Sequence, residues 1–124
     1  MNNLLILITL FINLNLTVID PSEGLSFQST TIDYGKILIS SDGKRQFDYT
    51  NTNKKSVFIT SSKPSCGCVV IKYNENEIKK GESGVIEVYY DTRRLGKFTK
   101  TITLTTSNSD KEIVLTIKGE VVNN

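Results

Sequence analysis

The sequence predicts an all-β sandwich of two packed antiparallel sheets with about seven strands, preceded by an N-terminal signal segment. Three observations carry that prediction. Apolar residues recur at period 2 between clusters of turn residues, the pattern of half-buried strands. Alanine is absent while Ile, Val, Thr, Tyr and Phe are frequent, a bias against helix and toward strand. The chain opens on a short apolar run with no charged side chain before Asp20. Its 124 residues suit one domain with one core.

The apolar run extends from Leu4 to Ile12 and on to Leu16, interrupted by Asn13 and Asn15. A membrane span needs about 20 apolar residues, so this run reads as the core of a signal peptide. Ser22-Glu23-Gly24 supplies a small-x-small pattern, which predicts cleavage before Leu25. Residues 1–24 are then the signal peptide and residues 25–122 the domain. The α-amino group is the one positive charge ahead of the run, and the cleavage site lacks Ala. The competing reading is an uncleaved anchor or a buried first strand. The expected location is outside the cytoplasm: periplasm, cell envelope or medium, with no membrane insertion after cleavage.

The strands follow in order. Leu25 and Phe27 alternate with Ser26 and Gln28, and Phe47 and Tyr49 with Gln46, Asp48 and Thr50. Val57 and Ile59 come next, then the Val69–Lys72 segment. Ile86, Val88 and Tyr90 alternate with Glu87, Tyr89 and Asp91. Phe98, Ile102 and Leu104 alternate with threonines, and Ile113, Leu115 and Ile117 with Glu112, Thr116 and Lys118. Asp42-Gly43, Asn51-Thr52-Asn53, Lys80 to Gly84, Leu95-Gly96 and Ser107 to Asp110 are turn chemistry between them. Each strand has one apolar face to bury, which two facing sheets accomplish.

Composition narrows the function classes. Fifteen Lys and Arg against thirteen Asp and Glu give a net charge of +2, alternating in sign along the chain. That is a solvated, mixed-sign surface and not a nucleic-acid footprint. Histidine is absent, which excludes Ser-His-Asp and Cys-His nucleophilic sites and His-based zinc sites. No phosphate-binding glycine loop of the P-loop type occurs. The expectation is a protein that is not an enzyme.

Pro64-Ser65-Cys66-Gly67-Cys68 is the one chemically suggestive run, and Cys66 and Cys68 are the only cysteines. Residues i and i+2 on a strand lie about 6.6 Å apart at Cα, near the upper limit for a disulfide unless Gly67 bends the backbone. Three functional readings follow: a reversible redox couple, a two-thiolate site for Cu(I), or a reactive thiol for a partner. The structural reading, preferred here, makes them buried small residues or a staple at a turn. A closed zinc site lacks ligands. Arg93, Arg94, Lys97 and Lys100 form a local basic patch along the chain. It is either a solvated hairpin tip or a contact for an acidic partner or anionic glycan.

The ordered motifs also resemble a family. Asn51-Thr52-Asn53, Val57 to Thr60, Lys63-Pro64-Ser65-Cys66-Gly67-Cys68, Ile78 to Gly84, Val88 to Thr92, Gly96-Lys97-Phe98 and Leu115 to Gly119 look like the bacterial domain of unknown function 1573. The similarity covers about residues 25–122. Lys80 stands where that family usually has proline before the Gly81 turn. The resemblance implies an immunoglobulin-like sandwich, related in pattern to domains of the major-sperm-protein type, and implies no activity. A protein or cell-envelope partner, bound without a cofactor, is the expectation. A thiol redox or Cu(I)-handling role through Cys66 and Cys68 is the alternative.

Overall fold

A computed structural model describes residues 24–124. The signal-peptide reading of residues 1–24 therefore falls outside the described residues, apart from Gly24. The chain forms β1 (Ser26–Phe27), β2 (Thr31–Leu38), β3 (Lys44–Thr50), β4 (Ile59–Pro64), β5 (Val69–Lys72), β6 (Ser83–Tyr90), β7 (Gly96–Thr106) and β8 (Ser109–Val122). One sheet runs β1-β3-β6-β5 and the other β2-β8-β7-β4. No helix is present among the described residues.

The period-2 pattern decides which side chains enter the space between the sheets. Phe47, Ile86 and Val88 from one sheet and Ile102, Leu104, Leu115 and Ile117 from the other are all essentially inaccessible to water. Removing each such side chain from water stabilises the fold by about 1.5–3 kcal/mol. Tyr90 lies in this core, whereas Tyr89 is on the outer face, as the alternation of β6 requires.

Two features depart from the sequence reading. β2 is an eighth strand, and it runs parallel to β8, from Thr31↔Thr116 to Leu38↔Val122. Its register shifts between Asp33 and Lys36, where Gly35 takes a φ of 64°. The inward residues are Ile32 and Tyr34 before the shift and Ile37 after it. One residue inserted into a period of 2 erases the alternation that reveals a strand. The parallel direction is free to arise because β2 is joined to β1 of the other sheet and not to β8 by a hairpin. The second departure is at β4. Val57 makes only an isolated bridge to Ile78, and the strand itself is the more polar Ile59–Pro64 at a sheet edge, where a proline is tolerated.

Candidate functional site

The strands bring four segments to one end of the sandwich. They are the β2–β3 turn at residues 39–43, the β4–β5 corner at 65–68, the β6–β7 loop at 91–95 and the close of β8 at Val122. Backbone hydrogen bonds knit them together. Ile39 N–H donates to Val122 O at 2.9 Å, Ser40 N–H to Thr92 O at 3.1 Å, and Asp91 N–H to Cys68 O at 2.9 Å. Thr92 is buried, and its hydroxyl donates to Ser41 O at 2.6 Å. Ser40 is held at a φ of 62°, the one non-glycine residue described in the left-handed region. A side chain there costs of order 1–3 kcal/mol and persists because the surrounding bonds fix it.

Beneath this end lies an aromatic floor. Tyr90 and Phe98 stack with centroids 3.9 Å apart, and Tyr34 meets both edge-on. Tyr34 donates its hydroxyl to Gly43 O at 2.8 Å, and the Arg45 guanidinium covers its ring at 4.2 Å. Burial pushes the Tyr34 phenol up to about 12. Gly43 is required here, since a Cβ would sit 2.1 Å from Tyr90 O. At neutral pH the Tyr34 and Tyr90 phenols, both pushed up by burial, are uncharged, and the rings serve as the packed support of this end.

The β4–β5 corner holds Cys66 and Cys68 joined by a disulfide, with Cα atoms 5.1 Å apart. The turn geometry achieves this spacing without help from an unusual glycine. Gly67 does not lie in the left-handed region, and a Cβ built on it would meet nothing within 4 Å. Its expected role as the residue that lets the backbone bend is therefore not required. The two sulfurs differ in setting: Cys68 is 4% exposed while Cys66 is half-buried. Cys68 N–H donates to Cys66 Sγ at 3.1 Å. Ser65 bonds β7 twice, its N–H donating to Thr101 O at 2.9 Å and its Oγ accepting from Thr101 N–H at 3.0 Å.

The four basic residues that are neighbours in sequence are spread over a loop and both faces of β7. Arg93 and Arg94 belong to the 91–95 loop, where Asp91 accepts hydrogen bonds from the Arg93 side chain at 2.9 and 3.1 Å and from its backbone N–H at 3.2 Å, and stands 3.7 Å from Arg94. Hydrogen bonds from the Arg93 side chain and backbone hold the Asp91 carboxyl down at about 2, with the charges of both arginines adding to the effect. Lys97 is on the outer face of β7, paired in register with Glu120. Lys100 shares the inner face with Phe98 and Ile102 and is half-buried. Strand parity separates the two lysines. Lys97 instead joins Lys36 and Lys118, with Asp33 and Glu120, around an open hollow of about 330 Å³. None of those four partners was singled out in the sequence, because cross-strand register is invisible there.

Sequence reading also passed over the apolar component of this end. Leu38, Ile39 and Leu95 are 47%, 36% and 58% exposed. Leu38 pairs with Val122, and Gly96 beside Leu95 pairs with Val121, so all three border the end of β8. Elsewhere, Tyr89 on the opposite sheet's outer face donates to Glu87 at 2.8 Å between Lys44 and Lys72, 5.9 and 5.4 Å from its ring. That cluster satisfies itself. Among the described residues no group of three or more Cys, Asp or Glu is placed to hold a metal ion.

The model of the family described as "Protein of unknown function (DUF1573)" matches residues 25–121, and the chain belongs to that family. No curated protein matches the chain. Among solved structures, it resembles a protein of unknown function from Porphyromonas gingivalis W83 at 16% identity and a TM-score of 0.67. That match covers 86% of this chain and 51% of the other, so the chain spans about half the length of that relative. It also resembles the ASH / PapD-like domain 7 of human CEP192 at 9% identity and a TM-score of 0.67, covering 84% of this chain and 89% of the domain. A third likeness is to the CsuC–CsuE chaperone–tip adhesion subunit pre-assembly complex of Acinetobacter baumannii, at 8% identity and a TM-score of 0.58. It covers 79% of this chain and 57% of that one. These identities establish the immunoglobulin-like, PapD-like fold and nothing finer.

Proposed function

We propose that this chain is an exported, non-enzymatic module that binds a protein or cell-envelope partner through the end of the sandwich bearing Leu38, Ile39 and Leu95. The observation that carries the reading is the exposure of these three apolar side chains next to Arg93 and Arg94. Grouped exposed apolar residues rimmed by polar ones mark contact surfaces, and arginine is enriched in them. Asp91 pre-orders Arg93, which lowers the side-chain ordering that binding would cost. A partner surface combining apolar and acidic groups complements this end. The likeness to a chaperone–subunit complex and to a PapD-like domain supports a protein-interaction role. The apolar run before Asp20 supports export.

The test compares surfaces. Arg93→Glu with Leu95→Asp should abolish capture of a specific envelope partner while leaving the melting temperature unchanged. Val114→Asp, at an exposed position opposite Thr103 toward the other end of β8, should leave capture intact. Equal capture by both variants would overturn the assignment. Export has its own check. Expression of the whole chain in a bacterial host should yield an extracytoplasmic product beginning at Leu25, and a cytoplasmic product retaining Met1 would refute it.

A further inference from the structure

We propose that Cys66 and Cys68 are a working thiol–disulfide couple, with Cys66 the sulfur that exchanges with a protein dithiol. The inference is independent of the partner-binding reading and rests on four features of the β4–β5 corner. The sulfurs are unequal in exposure, Cys66 half-buried against the core edge and Cys68 buried, as an exchanging and a resolving thiol should be. Gly67 between them is exposed and is demanded neither by its φ nor by crowding. What it supplies is an unobstructed approach to the sulfur.

The remaining two features concern charge and anchoring. Cys68 N–H points at Cys66 Sγ at 3.1 Å, a hydrogen bond that favours the thiolate of Cys66 once the bond opens. Finally, the turn does not depend on the disulfide for its position. Ser65 is bonded to Thr101, and Cys68 O accepts from Asp91 N–H, through groups that do not include either sulfur. A bond closing a loop across one residue removes little chain entropy compared with the long loops that staples close, so stapling is a poor account of it.

The exchange balances as follows. A thiolate of the donor dithiol attacks Cys66 Sγ, and the electron pair of the breaking S–S bond leaves on Cys68 Sγ, which takes up a proton. The donor's second thiol loses its proton and attacks the donor sulfur of the mixed disulfide, releasing Cys66 as a thiolate. The Cys66 thiolate takes up a proton from solvent, matching the proton lost when the donor's first thiolate formed. The donor dithiol thus gives up two electrons and two protons to become a disulfide, and the pair becomes a dithiol.

Glutathione serves as the probe. The purified protein is equilibrated across ratios of reduced to oxidised glutathione, alkylated and weighed by mass spectrometry. The pair should pass between disulfide and dithiol within that range while the fold persists. In the reduced protein Cys66 should be alkylated about tenfold or more faster than Cys68. Cys68→Ser should accumulate a mixed disulfide with glutathione on Cys66, while Cys66→Ser should leave Cys68 unmodified. Gly67→Val should slow reduction about tenfold with no loss of melting temperature, because it only obstructs approach to the sulfur. A disulfide that survives excess reduced glutathione in the folded protein, equal labelling of the two cysteines, unfolding on reduction, or unimpeded exchange in Gly67→Val would each overturn the proposal.

Discussion

The two ends of the sandwich handle their polar groups in opposite ways. At the end opposite the Cys66–Cys68 corner, Asn51 and Asn53 are buried and bond each other and the backbone, with Asn53 Oδ1 left without a partner among the described residues. Asn51 Nδ2 donates to Lys55 O at 3.0 Å and Ile78 O at 2.9 Å, and its Oδ1 accepts from Asn53 N–H at 3.0 Å and Asn53 Nδ2 at 2.8 Å. Asn53 Nδ2 also donates to Gly24 O, tying down the start of the domain. At the corner end, charged and apolar side chains point into water and a disulfide lies partly exposed. One end is centred on two buried asparagines beside the exposed Phe58, and the other sets Leu38, Ile39 and Leu95 in water near two arginines. The same turn chemistry in sequence serves both, so turn residues alone do not tell a plug from a contact surface.

If the division is right, the largest effects on stability should come from residues that close the core, wherever they sit. Tyr90→Ala removes a buried ring that stacks on Phe98 and meets Tyr34, and should cost about 3–5 kcal/mol in urea melts. Tyr89→Ala breaks the Glu87 hydrogen bond and two cation–ring contacts on the outer face and should cost about 1 kcal/mol. Equal costs would refute the inner and outer assignment of β6. Asn51→Ala should follow at about 3 kcal/mol, since it removes the buried donor to Lys55 O and Ile78 O and the acceptor for Asn53 N–H and Nδ2 at the closed end. A cost under about 1 kcal/mol would show that water replaces the side chain, and the closed end would not be closed.

The strands that were legible in sequence are those whose alternation is unbroken. β6, β7 and β8 keep strict period 2, and the buried residues Ile86, Val88, Tyr90, Ile102, Leu104, Leu115 and Ile117 follow it. β2 was not legible because the shift at Gly35 moves Ile37 out of phase with Ile32 and Tyr34. For the site, the cysteine pair and the two arginines stood out as residue types. Their union at one end needed the Asp91–Cys68 backbone bond, which links residues 23 apart in the chain. The separation of Lys97 from Lys100 was available earlier, since Lys100 shares the parity of Phe98 and Ile102. The plug role of Asn51 and Asn53 was hidden, because asparagine in a turn carries no mark of burial.

Smaller effects are expected at the open end. Reducing the Cys66–Cys68 bond should lower stability by only about 1.5 kcal/mol, the chain-entropy value for a three-residue loop. Urea melts with and without reductant measure it. A loss above about 3 kcal/mol would make the corner a staple and place it with the closed end.

The smallest effect should be at Asp91, and pH gives it a signature. Its carboxyl is held at about 2 in the folded chain against an ordinary value of 3.8. A depressed folded-state value means that the unfolded chain takes up the proton first as pH falls. The Asp91 contribution is therefore fully present above about pH 4 and disappears as pH drops through about 2. Asp91→Asn keeps an acceptor for Arg93 but removes the charge that holds Arg93 and Arg94. Native protein and variant should thus differ slightly in stability at pH 6, and their urea midpoints should converge between pH 4 and pH 2. Arg93 is well exposed, so solvent screening keeps the difference small, and added salt should shrink it further. The variant should also weaken partner capture, because the arginines lose their pre-ordered arrangement. A large stability loss at pH 6 that persisted to pH 2 would mean that the Asp91 side chain supports the 91–95 loop through packing. The loop would then belong to the closed part of the molecule, and the contrast between the two ends would fail at its central residue.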